Sequence, residues 1–177
     1  MPKRHLKTIF VLLFFFVFLS YGYSPCAEKD TEHTVRVKKI YDGDTIGAVV
    51  AGRFEKIRLI GIDAPETGQR LWGKKAKKCI GSLMANAALR ISLEYDMELR
   101  DKYGRILAYI WTQDGHMINE EMLKKGCAVL FTFPPNVKYV ERFRAAQKKA
   151  QEHKAGIWGE NGLRERPYDY RKKHPRR

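Results

Sequence analysis

Two turns of this 177-residue chain gather acidic side chains, Asp42-Gly43-Asp44-Thr45 and Asp63-Ala64-Pro65-Glu66. Either one alone says little, since Asp-Gly is a common turn and loop carboxylates are usually solvated. Together they match what a hard cation requires, several oxygens delivered from separate loops. Asp44, Asp63 and a loop carbonyl, completed by water, would form a site of the Ca²⁺ type. The spacing is not that of an EF-hand, so the fold itself must assemble any such site. No Cys or His pair has the spacing of a zinc site.

Two arginines belong with these turns. Arg58 sits inside the apolar run Ile57-Arg58-Leu59-Ile60, five residues before Asp63, and either faces water or is held for a partner. Arg105 follows Asp101-Lys102-Tyr103-Gly104, a turn that leads into another strand. A guanidinium fork can grip two phosphate oxygens in a way lysine cannot copy. Two arginines, a metal and one spare carboxylate form a coherent set for cleaving a phosphodiester. The metal polarises the phosphoryl group, the arginines offset charge on its oxygens, and the carboxylate takes a proton from water.

The elements that must position these groups follow from period and turn chemistry. Thr34–Ile40 and Thr45–Val50 read as strands around the Asp42-Gly43 turn, and Phe54–Ile62 as a third after Gly52-Arg53. Ala76, Cys79, Ile80, Leu83, Met84 and Ala87 mark one face of a helix over Gly73–Leu89, with Lys74, Lys75, Lys77 and Lys78 mostly on the wet side. Ile91–Tyr95 and Arg105–Trp111 read as two more strands. Asn119 is placed to cap a short helix ending at Gly126. Asn136 is placed to cap a longer one through Lys154, buried along Tyr139, Val140, Phe143, Ala146, Gln147 and Ala150. Five strands and three helices point to a mainly-β α+β domain, a small barrel with helices outside. An OB-type barrel is the natural candidate, with the strand order left open by periodicity.

Composition sets the outer limits. A hydrophobic fraction of 44% can bury a core, which excludes a fully disordered chain. With 34 Lys+Arg against 20 Asp+Glu the formal charge is +14, favouring a polyanionic partner, either nucleic acid or an anionic membrane surface. Lys3, Arg4 and Lys7 precede the apolar run Ile9–Leu19, a pattern fitting a signal peptide within residues 1–26. Eleven helical residues span about 16 Å, short of a bilayer core of about 30 Å. Tyr21–Tyr23 could lengthen the run into an uncleaved anchor, and Cys26 offers a lipidation alternative that Pro25 suits poorly. Losing residues 1–24 removes three bases and no acids, leaving +11. Cys79 and Cys127 would then lie in an exported compartment where a disulfide is conceivable. The helical stripe holding Cys79 favours two buried small hydrophobes instead. Residues 161–177 are basic, contain proline and lack a period, so they read as a disordered tail after a domain spanning 33–160.

At this point the chain resembles the thermonuclease (staphylococcal nuclease) family. The likeness rests on Asp42-Gly43-Asp44-Thr45, then Arg58-Leu59-Ile60-Gly61-Ile62-Asp63-Ala64-Pro65-Glu66-Thr67, then Asp101-Lys102-Tyr103-Gly104-Arg105. It continues through Ile118-Asn119-Glu120 and Gly126-Cys127-Ala128 to Gly156-Ile157-Trp158. The resemblance implies a five-stranded OB-fold barrel with three packed helices and a Ca²⁺-dependent nuclease acting on DNA and RNA. It implies metal binding by the Asp44 and Asp63 carboxylates and the Ala64 carbonyl, with Glu66 positioning or deprotonating the water. Arg58 and Arg105 would hold the phosphate, and Lys102 and Tyr103 would contact a terminal phosphate. Phe131 and Phe133 stand where the family's best-known member has tyrosines, so they can stack on a base without donating a hydrogen bond. Ala64 replaces a threonine, which preserves a backbone ligand and removes a hydroxyl. The loop from Thr67 to Trp72 is shortened.

The expectation is therefore an exported, monomeric hydrolase, secreted or periplasmic, with nucleic acid as its partner and no obligate protein partner. Membrane contact would arise only if the first segment is retained. A non-catalytic barrel that binds single strands through basic grooves and aromatics is the alternative. It gives no reason for Asp44, Asp63, Glu66, Arg58 and Arg105 to occur together. A membrane-surface protein would explain both ends of the chain and leave its middle unexplained.

Overall fold

Alternation builds the first strand: Val35 and Val37 are buried while Thr34, Arg36 and Lys38 are exposed. In the structure, a computed structural model that describes residues 34–175, this is β1 (Thr34–Ile40). The N-terminal segment, Cys26 and the last two arginines lie outside the described residues. β2 (Thr45–Val50) follows, its first four residues all buried between its neighbours. Ala51 and Gly52, both at positive φ (47° and 77°), form the two-residue turn into β3 (Arg53–Leu59). Positive φ at both positions is what a tight hairpin matching strand twist requires.

The sequence reading carries the third strand on to Ile62, but the structure breaks it at Gly61. That residue adopts φ 78°, and Phe143 packs where a Cβ would stand. The chain resumes as β4 (Ile62–Asp63), which pairs with β7 (Val129–Leu130) in a separate two-stranded sheet. β5 (Arg90–Glu94) and β6 (Ile106–Thr112) complete a closed barrel in the order β1-β2-β3-β6-β5, with β3 and β6 parallel and the other pairs antiparallel. Closure leaves the barrel no free edge. Val37, Ile46, Ile57, Leu59, Ile91, Leu93 and Ile110 are among its buried residues. The OB-like, mainly-β architecture is the expected one.

α1 (Arg70–Asn86) buries Ala76, Ile80 and Met84 and exposes the four lysines, the amphipathic face read from its period. α2 (Ile118–Lys124) and α3 (Val140–Glu152) pack on one another, α2 also on β6 and α3 on β7, with Phe143 of α3 edge-on to Tyr109 of β6. Neither asparagine acts as a helix cap. Asn119 lies within α2, fully buried, accepting from the Ile110 N–H at 2.9 Å and donating to the Ile60 carbonyl at 2.8 Å. Asn136 precedes α3 by several residues and clamps both backbone groups of Glu98 at 2.8 and 2.9 Å. Each carboxamide serves a distant loop that local sequence does not reveal.

Cys79 and Cys127 are joined in a disulfide with Cα atoms 6.5 Å apart, which corrects the expectation of two separate hydrophobes. The stripe places Cys79 on the packed face of α1, and the turn after α2 brings Cys127 to meet it. The tail also departs from expectation. Leu163 N–H donates to the Ile157 carbonyl at 2.9 Å, and Pro167–Lys173 forms a fourth helix, α4, with proline in its first turn. At seven residues it is too short to show an apolar period, and its contacts come from aromatic and arginine side chains. Among the described residues no helix is long and apolar enough to cross a membrane.

Candidate active site

The β1–β2 turn and the loop after β4 are stitched together by one carboxylate. Asp42 accepts from the Asp44 N–H at 3.1 Å, a local turn that presents Asp44 inward. Asp44 Oδ1 accepts from the Thr45 hydroxyl at 3.1 Å, and Oδ2 from the Ala64 N–H at 2.6 Å. Gly43 makes this approach possible, because a Cβ there would fall 2.6 Å from that of Ala64 and 2.7 Å from that of Ala76. Burial, with Asp44 close by, pushes the Asp42 carboxyl up to about 6. Asp63 ends β4 with no exposed surface. Burial raises its carboxyl above the ordinary range, a shift only partly offset by hydrogen bonds from Arg171 and the charge of Arg58.

Arg58 is held for partners and does not face water; its side chain is 13% exposed. One nitrogen, Nη2, lies 3.3 Å from both Asp44 Oδ2 and Asp63 Oδ1, while Nη1 donates to the Leu59 carbonyl at 2.8 Å. Arg105 is aimed by Asp101, whose Oδ2 receives Nε and Nη2, each at 2.7 Å. Its remaining Nη1 reaches toward the Thr45 hydroxyl at 3.5 Å. The same Asp101 accepts the backbone N–H groups of Tyr103 and Arg105, both at 3.0 Å, so it also shapes the turn.

Glu66 stands on the loop ahead of α1. Its N–H donates to Gln69 Oε1 at 2.8 Å, and Gly73 of α1 leaves room for its carbonyl. Its carboxylate meets a residue that the sequence reading passed over. Arg171 of α4 donates from Nη1 to Glu66 at 2.8 Å and to Asp63 Oδ1 at 2.9 Å, and from Nη2 to Asp63 Oδ2 at 2.9 Å. Burial weakens a guanidinium's hold on its proton, but here the bonds to Asp63 and Glu66 outweigh it. The one available cue was the aromatic interleaving of Pro167-Tyr168-Asp169-Tyr170-Arg171 in an otherwise basic run.

The structure thus brings together Asp44, Arg58, Asp63, Ala64, Glu66 and Arg105. Lys102 and the exposed Tyr103 ride on the Arg105 turn, with Arg105 and Lys102 placed 5.5 and 5.2 Å from the Tyr103 ring. Phe131 donates its N–H to the Gly61 carbonyl at 3.0 Å, and its ring lies 5.8 Å from that of Tyr168 on α4. Phe133 is exposed.

The donor set suits a hard cation: Asp44 and Asp63 share a nitrogen of Arg58, and Asp63 and Glu66 share one of Arg171. A guanidinium already sits where positive charge is wanted. Among the described residues no three acidic, histidine or cysteine side chains form a ready-made cage. Asp44 and Asp63, with the Ala64 backbone beside them, are the oxygen donors here that could take a cation, the rest of its shell being water.

Comparison with known proteins bears on this site. The family model described as staphylococcal nuclease homologue matches residues 56–160. Thermonuclease of Staphylococcus intermedius is 42% identical over 127 residues, covering 69% of this chain and 74% of that protein. Thermonuclease of Staphylococcus hyicus is 40% identical over 132 residues, covering 72% and 76%. Endonuclease YncB of Bacillus subtilis (strain 168) is 34% identical over 139 residues, covering 72% and 63%.

Proposed function

The chain belongs to the staphylococcal nuclease family, and from that premise we propose that it is a calcium-dependent endonuclease hydrolysing the phosphodiester bonds of DNA and RNA. The observation that carries this reading is the meeting of Arg58 and Arg105 with Asp44, Asp63 and Glu66 at one end of the barrel. A binding module needs basic and aromatic surface but has no use for buried carboxylates among its phosphate contacts.

Asp44, Asp63 and the Ala64 carbonyl would hold the Ca²⁺, which when bound supplies Lewis-acid polarisation of a phosphoryl oxygen. The remaining work falls to the chain's own side chains. Glu66 accepts a proton from water as the water oxygen bonds to phosphorus. The P–O ester bond opposite then breaks, the leaving oxygen takes a proton from solvent, and Glu66 returns its own proton to solvent. Arg58 and Arg105, each pre-aimed by fixed partners, stabilise charge on the phosphoryl oxygens without having to reorganise. Lys102 and Tyr103 extend the phosphate contacts, and Phe131 and Phe133 offer faces on which a base can stack.

The natural arrangement on this reading is an exported monomer with a leader or anchor within residues 1–26, a nuclease domain over 33–160 and a basic extension over 161–177. The Cys79–Cys127 disulfide supports an oxidising compartment. The test is incubation of the purified protein with DNA and with RNA, in Ca²⁺ and in chelator. Cleavage of both in Ca²⁺ and its loss on chelation is the expected result. Equal rates in the two conditions would refute the metal reading, and binding without cleavage would favour the single-strand-binding alternative.

A further inference from the structure

α4 enters the site with two side chains at once. Arg171 sets its guanidinium on Asp63 and Glu66, at 2.8 to 2.9 Å. Three residues earlier, Tyr168 lays its ring against Phe131 in a tilted stack with centroids 5.8 Å apart. Positions three apart share a helix face, so one short face delivers both groups. The first stands in for a cation beside two carboxylates, and the second covers a ring offered to a base. Tyr170 adds a third contact: any side chain at Gly68, on the loop between Glu66 and α1, would meet its hydroxyl. Gln69 ties the two segments, accepting from the Glu66 N–H and donating to the Glu165 carbonyl at 2.9 Å.

This attachment is specific yet thin. Pro167 is the buried residue of α4, and a seven-residue helix has little stability of its own in water. What seats it is the need of Asp63 and Glu66 for a positive neighbour, because leaving buried charge uncompensated is strongly unfavourable. A divalent cation meets that need with two charges in place of one. The cation and Arg171 therefore compete for the same carboxylates.

We infer that α4 is an intramolecular plug, occupying the cation and base positions together and displaced when cation and nucleic acid bind. The inference rests on the nuclease reading above and adds to it a latent state in which the protein blocks its own site.

The test measures Ca²⁺ binding by titration calorimetry, without nucleic acid, on the full chain, on Arg171→Gln and on Tyr168→Ala. If α4 is seated about nine-tenths of the time, the apparent affinity is reduced by the open fraction, and release should tighten binding about tenfold. Both variants should tighten. Tyr168 is uncharged, so a gain on its loss reports release of the helix and not a change in local charge. In the full chain, Ca²⁺ with a short single-stranded oligonucleotide should speed hydrogen exchange at the Tyr170 and His174 amides, which donate to the Arg166 and Tyr170 carbonyls. Tightening in Arg171→Gln alone would reduce α4 to an electrostatic neighbour and overturn the plug. Unchanged affinity in both variants, or slower exchange on adding Ca²⁺ and oligonucleotide, would overturn it as well. Absence of Ca²⁺ binding in all three proteins would instead bring down the metal reading itself, and this inference with it.

Discussion

Replacing Asn119 by alanine tests whether the barrel and the site are held together by a single carboxamide. Asn119 has no exposed surface, and its two principal bonds run to the Ile110 N–H at 2.9 Å and to the Ile60 carbonyl at 2.8 Å. Its contact with the Ala108 carbonyl, at 3.5 Å, is marginal, and that carbonyl already accepts from the Ile60 N–H at 3.0 Å. Truncation therefore strips a partner from two buried backbone groups, each costing roughly 1–3 kcal/mol when left unmet. Water entering the vacated space would recover part of that. The expected loss is about 2–5 kcal/mol, at the diagnostic end of single-residue effects. Urea unfolding should show a lower midpoint with an unchanged slope, which isolates stability from a change in compactness. Ile60 is three residues from Asp63, so the folded variant should also lose turnover. A loss below about 1 kcal/mol with turnover intact would mean that Ile60 and Ile110 do not depend on this side chain, and the reasoning would fail.

Glu66→Gln should lower turnover by roughly 10²–10⁴-fold, the usual contribution of a positioned base, with oligonucleotide affinity not reduced. Collapsed affinity with an intact single-turnover rate would make Glu66 a binding residue. Breaking the Cys79–Cys127 bridge with a double serine variant should cost about 4 kcal/mol in thermal or urea unfolding, from the loop closed across a separation of 48 residues. An unchanged midpoint would show that the bridge constrains nothing. Burial alone would raise the Glu94 carboxyl, but hydrogen bonds from Lys138, Tyr139 and Trp111 outweigh it and hold the group below the ordinary range. That stabilisation is complete above the unfolded value of about 4.3 and is lost as pH falls through the lower folded value. Unfolding midpoints of Glu94→Gln should therefore fall less steeply below about pH 4.3 than those of the parent; parallel acid limbs would dismiss the assignment.

What was legible in the sequence is what short-range chemistry determines. The two strands flanking Asp42-Gly43 end where the pattern of β-branched residues ends, at Thr34–Ile40 and Thr45–Val50. The acidic turns and the arginines beside them were legible for the same reason, since each sits at a strand end that period and turn residues locate. Asn119 and Asn136 show where this logic stops. An asparagine ahead of an apolar run looks like a cap because capping is its commonest local use. Its real partners here, Ile60 and Glu98, lie 59 and 38 residues away. Cys79 misled in the same manner, its helical period concealing a partner beyond the helix.

Arg171 lies furthest from what local sequence reveals. The bonds it makes span 105 and 108 residues, and in a basic, proline-containing run only the flanking Tyr168 and Tyr170 distinguish it from Arg164 or Arg166. The demand for it is visible only from the other side. Asp63 is fully buried, and its neighbours Asp44 and Glu66 are acidic, so the barrel end carries more negative charge than Arg58 alone offsets. Carboxylates gathered at a buried position are unfavourable without a counter-charge, and the folded chain must relieve them by protonation, by solvent or by a cation of its own. Arg171 supplies the third. If the site takes a hard cation as proposed, the charge density that suits it to that cation is also what attracts Arg171 of the basic extension.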